Sequence, residues 1–168
     1  MSRHTSPVII ASEMLEPEVL ISTNQVVNEL REQLDPFEYD VDCDTIEAQL
    51  GQREFRPKTD LGNGKYYLGE WLKNTTHSNI REGRGTYLWP DGQIYEGFWK
   101  NNKAQFRGRF IIANGGFYEG EIKDNMRHGK GEEIWPDGAM FEGQFQNNEQ
   151  HGFGKFTWPN DETYEGEY

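Results

Sequence analysis

One short sequence pattern recurs at a fixed period through the last two-thirds of this chain. Each unit opens with an aromatic residue, usually followed by Glu and Gly, at Tyr67, Tyr95, Tyr118, Phe141 and Tyr164. The last four of these positions are equally spaced, and an insertion of five residues between residues 72 and 82 lengthens the first unit. A fixed period this short indicates stacked supersecondary units rather than one globular core.

The residue pattern inside each unit predicts one β-hairpin. In the second unit, Tyr95, Gly97 and Trp99 alternate with Glu96 and Phe98, which is the period of two of a half-buried strand. In the other units, two glycines separated by one residue mark the returning strand. Consecutive hairpins of this kind would join edge to edge into one sheet.

Two kinds of turn connect the predicted strands. Segments 100–104, 123–127 and 146–150 are polar and rich in Asn, which predicts hairpin tips. Phrases such as W-P-D-G at Trp89 and Trp135 close the units, because Pro presets the φ angle of a turn and Gly accepts a positive one.

The predicted fold is therefore all-β. It is a single-layer twisted antiparallel sheet of consecutive 23-residue hairpins, preceded by an acidic arm with one or two short helices. The arm is assigned to residues 1–64 and the sheet to residues 65–168. The units are assigned to residues 67–94, 95–117, 118–140 and 141–163, with a partial unit at 164–168.

The arm differs from the repeats in its charge. Residues 1–60 hold 13 Asp and Glu against 5 Lys and Arg, a net charge of −8 out of −12 for the whole chain. The segment from Ser22 to Gln25 resembles a capping box and predicts the start of a helix. A second short helix is predicted from Asp44 to Leu50, and the stretch between the two helices has the pattern of an added strand or an extended arm.

The repeated aromatic side chains predict a long, shallow trough along one face of the sheet. With strands roughly 4.8 Å apart, four hairpins would span about 40 Å. We expect the trough to bind partner proteins, because exposed aromatic rows usually mark interfaces. The predicted partner-binding residues are Tyr95, Trp99, Tyr118, Trp135, Phe141, Phe145, Trp158 and Tyr164.

Val27, Leu30 and Leu34 are the predicted docking residues of the arm, since they follow one another at helical spacing. A helix that presents such an apolar stripe to a groove uses a common mode of recognition. The sheet of the same chain and a neighbouring chain are both open as docking sites, and we favour docking onto other proteins.

The phrases Y-E-G-x-W, H-G-x-G and P-D-G, recurring at this fixed period, resemble the MORN repeat (membrane occupation and recognition nexus) over about residues 65–168. Phe106 in place of a repeat glycine and Asp161 in place of a turn glycine depart from the family pattern. The resemblance, which is to the radial-spoke-head type, implies a scaffold. Members of the family act in radial-spoke heads of cilia, in parasite cytoskeletal rings, as junctophilins that bridge membranes, and as appendages of lipid kinases and methyltransferases.

No catalytic, cofactor or metal site is predicted. His128 and His151 adjoin repeat glycines, but no Cys or third His lies at ligand spacing. We therefore interpret them as structural residues at equivalent positions of two repeats. A repeated glutamate predicts a solvated face opposite the trough, at Glu96, Glu119, Glu142 and Glu165. A basic group is expected to be solvated as well, at Lys100, Lys103, Arg107 and Arg109.

The net charge of −12 disfavours nucleic acid as a partner and direct adsorption to anionic lipid. We therefore expect a non-catalytic structural subunit that binds other proteins of a larger assembly. Its expected location is the cytoplasm and cytoskeleton, in particular the axoneme of a cilium or flagellum. The alternative is a membrane-contact or lipid-kinase-regulating adaptor.

The sequence stops one strand into a fifth unit, at Tyr168. Either the chain is a fragment of a longer protein or this is its natural end. In the second case the strand from Tyr164 to Tyr168 presents an edge that a second copy can pair with, so a homodimer is a further expectation.

Overall fold

The computed structural model describes residues 18–39, 42–73 and 79–168, which form one antiparallel sheet of ten strands with two short helices. The strands lie in the sheet in the order in which they occur in the sequence. They are β1 (Arg53–Gly62), β2 (Lys65–Leu72), β3 (Arg81–Leu88), β4 (Ile94–Lys100), β5 (Lys103–Ile111), β6 (Phe117–Lys123), β7 (Met126–Ile134), β8 (Met140–Gln146), β9 (Glu149–Thr157) and β10 (Thr163–Glu167). The fold predicted from the repeats is confirmed.

The sheet begins with a strand that the sequence pattern did not indicate. β1 lies in the segment assigned to the arm and pairs antiparallel with β2. Pro57 has no amide hydrogen to donate, and the pairing shifts register between Arg56 and Thr59. A proline is tolerated there because β1 is an edge strand, hydrogen-bonded on one side.

The predicted hairpin tips are tight turns. Asn101 and Asn102 join β4 to β5 with φ angles of 49° and 66°, the left-handed pair that matches the twist of a hairpin. The Asn102 side chain also accepts a hydrogen bond of 2.8 Å from the backbone N–H of Arg81, which ties the turn to the preceding hairpin. The same pair of positive φ angles recurs at Asp124 and Asn125 and at Asn147 and Asn148.

Phe106 adopts the backbone conformation of the glycine that it replaces. Its φ angle is 66°, close to 56° at Gly129 and 62° at Gly152, which hold the equivalent positions. In each of these units the returning strand has a bulge around this residue. The departure from the repeat pattern therefore leaves the pairing of β5 with β6 intact.

The two faces of the sheet differ in chemistry. On the aromatic face, glycines on neighbouring strands leave room for rings, since a Cβ at Gly108 would lie 2.3 Å from Cε2 of Tyr95. The buried rings of this face belong to Tyr67, Trp71, Tyr87, Tyr95, Trp99, Tyr118, Phe141 and Phe145. The opposite face, here called the arm face, carries an aliphatic row with Phe117 at its end: Leu68, Leu88, Ile94, Ile111 and Phe117.

The first helix, α1 (Gln25–Gln33), is capped by Asn24 and not by Ser22 as the capping-box pattern predicted. The Asn24 side chain accepts hydrogen bonds from the backbone N–H groups of Val26 at 3.0 Å and Val27 at 3.4 Å. The Ser22 hydroxyl donates instead to the carbonyl of Gly92, at 2.6 Å, in the turn between β3 and β4. The residue expected to cap the helix therefore ties the arm to the sheet.

The second helix, α2 (Cys43–Glu47), is shorter than the predicted segment from Asp44 to Leu50. Between the helices, residues 35–39 have no regular secondary structure, and residues 40–41 lie outside the described part of the chain. Residues 74–78, which fall in the predicted insertion of the first unit, lie outside it as well. Among the residues described, no helix has both the length and the apolar character needed to cross a bilayer.

Candidate functional site

The arm lies on the sheet of its own chain, on the face opposite the aromatic rings. Val27 is fully buried, and Leu30 and Leu34 are partly buried against the aliphatic row of the arm face. The sequence left the sheet of the same chain and a neighbouring chain open for these residues, and the structure places them on the sheet of the same chain, on the face away from the aromatic trough. The cause is the alternation of the strands, which puts aliphatic side chains such as Ile94 and Ile111 on the face away from the rings.

A row of mostly charged side chains crosses the arm face beside the aliphatic row. Cross-strand pairing places its members opposite one another in the order Thr86, Glu96, Arg109, Glu119, Glu132, Glu142, Lys155 and Glu165. Glu142 and Glu165 are exposed, as expected for the repeated glutamate. The expectation is wrong for Glu96, which is 7% exposed because the arm covers it and Arg31 of α1 forms an ion pair with it.

Arg109 joins the sheet to the arm. Its side chain was expected to be solvated, but the residue is only 6% exposed. Its Nε donates to the Glu119 carboxylate at 2.7 Å, and its Nη1 donates to the backbone carbonyl of Asp35 at 2.7 Å. The Phe37 ring lies 5.7 Å from the guanidinium carbon. Buried charges need partners of this kind, so Arg109 stabilises the arm in its docked position.

Beyond Glu119 the arm no longer covers the charged row, and acidic side chains outnumber basic ones in it. Glu132 on β7 lies directly opposite Glu119 on one side and Glu142 on the other. Burial raises the pKa of the Glu132 carboxyl, and the charges of Glu142 and Glu119 raise it further. Within the described residues, its side chain has no ion pair or hydrogen bond. The position one repeat earlier is Arg109, so the sign of the charge is reversed here.

The Glu132→Gln variant is expected to melt at a higher temperature than the wild type at pH 7 and to lose this advantage in acid. Because the folded-state pKa of this carboxyl lies above the unfolded value, the folded protein binds the proton more tightly, and stability is gained as the pH falls through the folded pKa. Thermal melts over a pH series measure the effect, with Glu162→Gln in an exposed turn as the control. An advantage of Glu132→Gln that does not change with pH would contradict the assignment.

The uncovered part of the arm face forms a groove with a volume of about 730 Å³. We call it the open groove. It runs across β5 to β10, and Phe153 is part of its lining. Its charged lining consists of six acidic residues, Asp42, Glu119, Glu121, Glu132, Glu142 and Glu165, and three basic residues, Arg107, Lys130 and Lys155. The Phe153 side chain is 55% exposed, so the lining offers apolar surface together with carboxylates.

The predicted trough residues divide into buried and exposed rings. Five are no more than 3% exposed, namely Tyr95, Trp99, Tyr118, Phe141 and Phe145. Trp135 is half-buried, whereas Trp158 is 44% exposed and Tyr164 is 46% exposed. The buried rings pack edge to face, as Tyr95 and Trp99 do at a centroid distance of 5.1 Å. The repeat pattern did not predict which aromatic side chains are buried in the sheet and which are exposed to solvent.

The repeated tyrosines have a structural role. The hydroxyl of Tyr95 donates to the carbonyl of Phe98 at 3.0 Å, and that of Tyr118 donates to the carbonyl of Glu121 at 2.8 Å. Burial raises the pKa of both phenols, so they stay protonated and keep donating. Each ring is thereby fixed above the glycine that follows it.

His128 and His151 lie at equivalent positions of β7 and β9, next to Gly129 and Gly152. In the described parts of the chain, no three His, Cys, Asp or Glu side chains are grouped closely enough to hold a metal ion. The candidate site consists of two surfaces, the exposed rings of the aromatic face and the open groove of the arm face.

Comparison with known proteins recognises the repeats. The family model for the MORN repeat matches four consecutive segments, residues 67–94, 95–117, 118–140 and 141–163. No curated protein matches the chain. One similar solved structure is the TCP domain of SAS-4 (dCPAP) of Drosophila melanogaster, in complex with a proline-rich motif of Ana2 (dSTIL), at 12% identity and a TM-score of 0.40. The match covers 66% of this chain and 58% of that one.

Proposed function

This chain belongs to the MORN-repeat family, and we propose that it is a scaffold subunit that binds neighbouring proteins in a cytoskeletal assembly, in particular a ciliary axoneme of the radial-spoke kind. MORN repeats form scaffold and interaction modules, and proteins built from them are generally non-catalytic structural or adaptor proteins. The partner of this chain is held through side chains that the sheet leaves exposed.

The exposed end of the aromatic face supports protein binding most directly. Phe156 packs against Trp135 at 5.4 Å and against Trp158 at 4.9 Å, so these rings form one continuous patch. Nearby, the Tyr164 and Tyr168 rings lie 5.5 Å apart and are 46% and 38% exposed. Contiguous exposed rings of this kind mark interaction sites, and Trp and Tyr supply many of the side chains that dominate binding energy.

The Trp158→Ala/Tyr164→Ala double variant is expected to weaken binding of the native partner by about 2 kcal/mol or more, which is roughly 30-fold in affinity. Both side chains offer large exposed rings, while the buried rings beneath them keep the sheet folded. Quantitative pull-down from cells that express the protein measures the loss. Phe55→Ala, which removes a 65% exposed ring from β1, is the matched control. Unchanged recovery of the same partners by a folded double variant would contradict the proposal.

Proximity labelling in the native cell tests whether the protein belongs to a cytoskeletal assembly. Enrichment of axonemal or other cytoskeletal proteins is the expected result. Enrichment of membrane proteins and phosphoinositide enzymes, together with salt-sensitive co-sedimentation with phosphoinositide vesicles, would favour a membrane-contact or lipid-kinase adaptor instead. The net charge of −12 supports the first outcome, because it opposes adsorption to anionic lipid.

A further inference from the structure

The docking of α1 shows which kind of helix can pack on the arm face. The helix places an apolar stripe with Val27 at its centre on the aliphatic row, and it pairs one cation, Arg31, with Glu96. Its start is fixed by Asn24, whose side-chain nitrogen donates to the carbonyl of Ala113 at 3.0 Å in the turn after β5. An amphipathic helix with a single well-placed cation therefore fits this face.

The repeat places a second surface of the same design one unit further along the sheet. A shift of one repeat carries Ile94 to Phe117 and Ile111 to Ile134, and a further shift carries Phe117 to Met140. These three side chains are consecutive in the cross-strand pairing of β6, β7 and β8. Ile134 and Met140 are only partly buried, so the aliphatic row continues beyond α1 without being fully covered.

On this second surface one carboxylate, Glu132, has no cationic partner among the described residues. On the part of the arm face that α1 covers, Arg109 lies directly opposite Glu96 on one side and Glu119 on the other. In the next unit the equivalent position is Glu132, which stands between Glu119 and Glu142. Glu119 is paired with Arg107 and Arg109, and Glu142 lies opposite Lys155, but Glu132 has a like charge on each side and no ion pair among the described residues. Like charges directly opposite one another destabilise a sheet, so Glu132 breaks a local rule.

We propose that the open groove binds a basic amphipathic helix of a partner protein. The helix lies beside α1, packs its apolar side on Ile134 and Met140, which border the groove next to Glu132 and Glu142, and places an Arg or Lys on Glu132. Charge complementarity selects a basic partner, and the groove has room for its side chains, at about 730 Å³. The groove lies on the opposite face from the exposed ring patch, so this inference stands apart from the proposed function.

A modified copy of the arm supplies the probe for this groove. The labelled peptide has the sequence of residues 20–37 with Glu29→Lys and Glu32→Lys, so that it keeps the apolar stripe of α1 and gains positive charge. We expect it to bind the full chain in fluorescence anisotropy. Glu132→Arg should weaken this binding roughly tenfold or more, because a cation then occupies the centre of the groove. Trp158→Ala on the other face should leave it unchanged.

Two further variants and one mapping experiment make the test specific. Glu162→Arg makes the same charge change in an exposed turn and should alter the affinity less than about twofold. Circular dichroism verifies that Glu132→Arg is folded. Hydrogen exchange of the complex should show added protection on β6 to β8 with the protection of α1 unchanged.

Several results would overturn the inference. In the anisotropy experiment these are equal affinity of the peptide for wild type and Glu132→Arg, equally tight binding of a scrambled peptide of the same composition, and no binding up to about 1 mM peptide. In the exchange experiment it is a loss of amide protection on α1, which would show that the peptide displaces the arm.

Discussion

Replacing Gly97 with Ala is expected to lower the free energy of unfolding by about 3 kcal/mol, or roughly 6–12 °C in melting temperature for a chain of this size. A Cβ at this position would lie 2.5 Å from the Tyr95 hydroxyl, 2.6 Å from Cα of Gly108 and 2.7 Å from the carbonyl oxygen of Arg107. Two of these atoms belong to the backbone of β5 and cannot move aside as a side chain would. The substitution must therefore separate β4 from β5 and also displace the Tyr95 ring.

Gly166→Ala is the matched control for this prediction. Gly166 has the same place in the repeat, but the three atoms nearest to a Cβ there all belong to the Tyr164 side chain, the closest being its hydroxyl at 2.5 Å. The Tyr164 ring is 46% exposed and can turn toward solvent, so we expect a loss below about 1 kcal/mol. Chemical denaturation of both variants gives the difference. Equal losses would show that close packing of rings over glycines does not set the strand spacing.

The second large effect is expected from Arg109→Ala, which should reduce the free energy of unfolding by about 3 kcal/mol or more. The substitution removes both hydrogen bonds of the guanidinium, to Glu119 and to the carbonyl of Asp35. It also leaves Glu96 buried with less positive charge around it. Hydrogen exchange should then show weaker protection of α1, because Arg109 contacts the segment that follows the helix.

Lys103→Ala separates this effect from the loss of any ion pair on the same strand. Lys103 pairs with Asp124 at 3.0 Å, but its side chain is 54% exposed and that of Asp124 is 46% exposed. An exposed pair of this kind contributes at most about 1 kcal/mol. If denaturant midpoints of the two variants coincide, the buried network is not what holds the arm to the sheet.

The sequence predicted the sheet because its information is local and repeated. The alternation in Tyr95, Glu96 and Gly97 decides which side chains share a face, and paired Asn residues at the tips decide where each hairpin turns. Both signals recur from unit to unit, so one irregular unit does not obscure them. Even Phe106 follows the backbone of its repeat position, with a φ angle of 66°.

The sequence did not predict how the arm meets the sheet, because that contact has no local signature. The apolar stripe of α1 predicts that the helix packs on an apolar surface. It does not indicate which face of the sheet, because both faces carry apolar side chains. Arg31 and Arg109 are ordinary surface residues in the sequence, and only their convergence on Glu96 makes them part of a buried network. β1 was missed for a related reason, since Pro57 obscures the pattern of a strand that has a single neighbour.

The serial order of the strands has a consequence for how the molecule gains and loses structure. Every hydrogen-bonded strand pair joins neighbours in sequence, so contacts are local and hairpins can form one after another, with little loop-closure entropy to overcome. In such an array, stability is a sum over units and their interfaces, and order can be lost from one end. The arm packs on the row that runs from Leu68 of β2 to Phe117 of β6, so we expect these strands to lose order after the strands that the arm leaves uncovered.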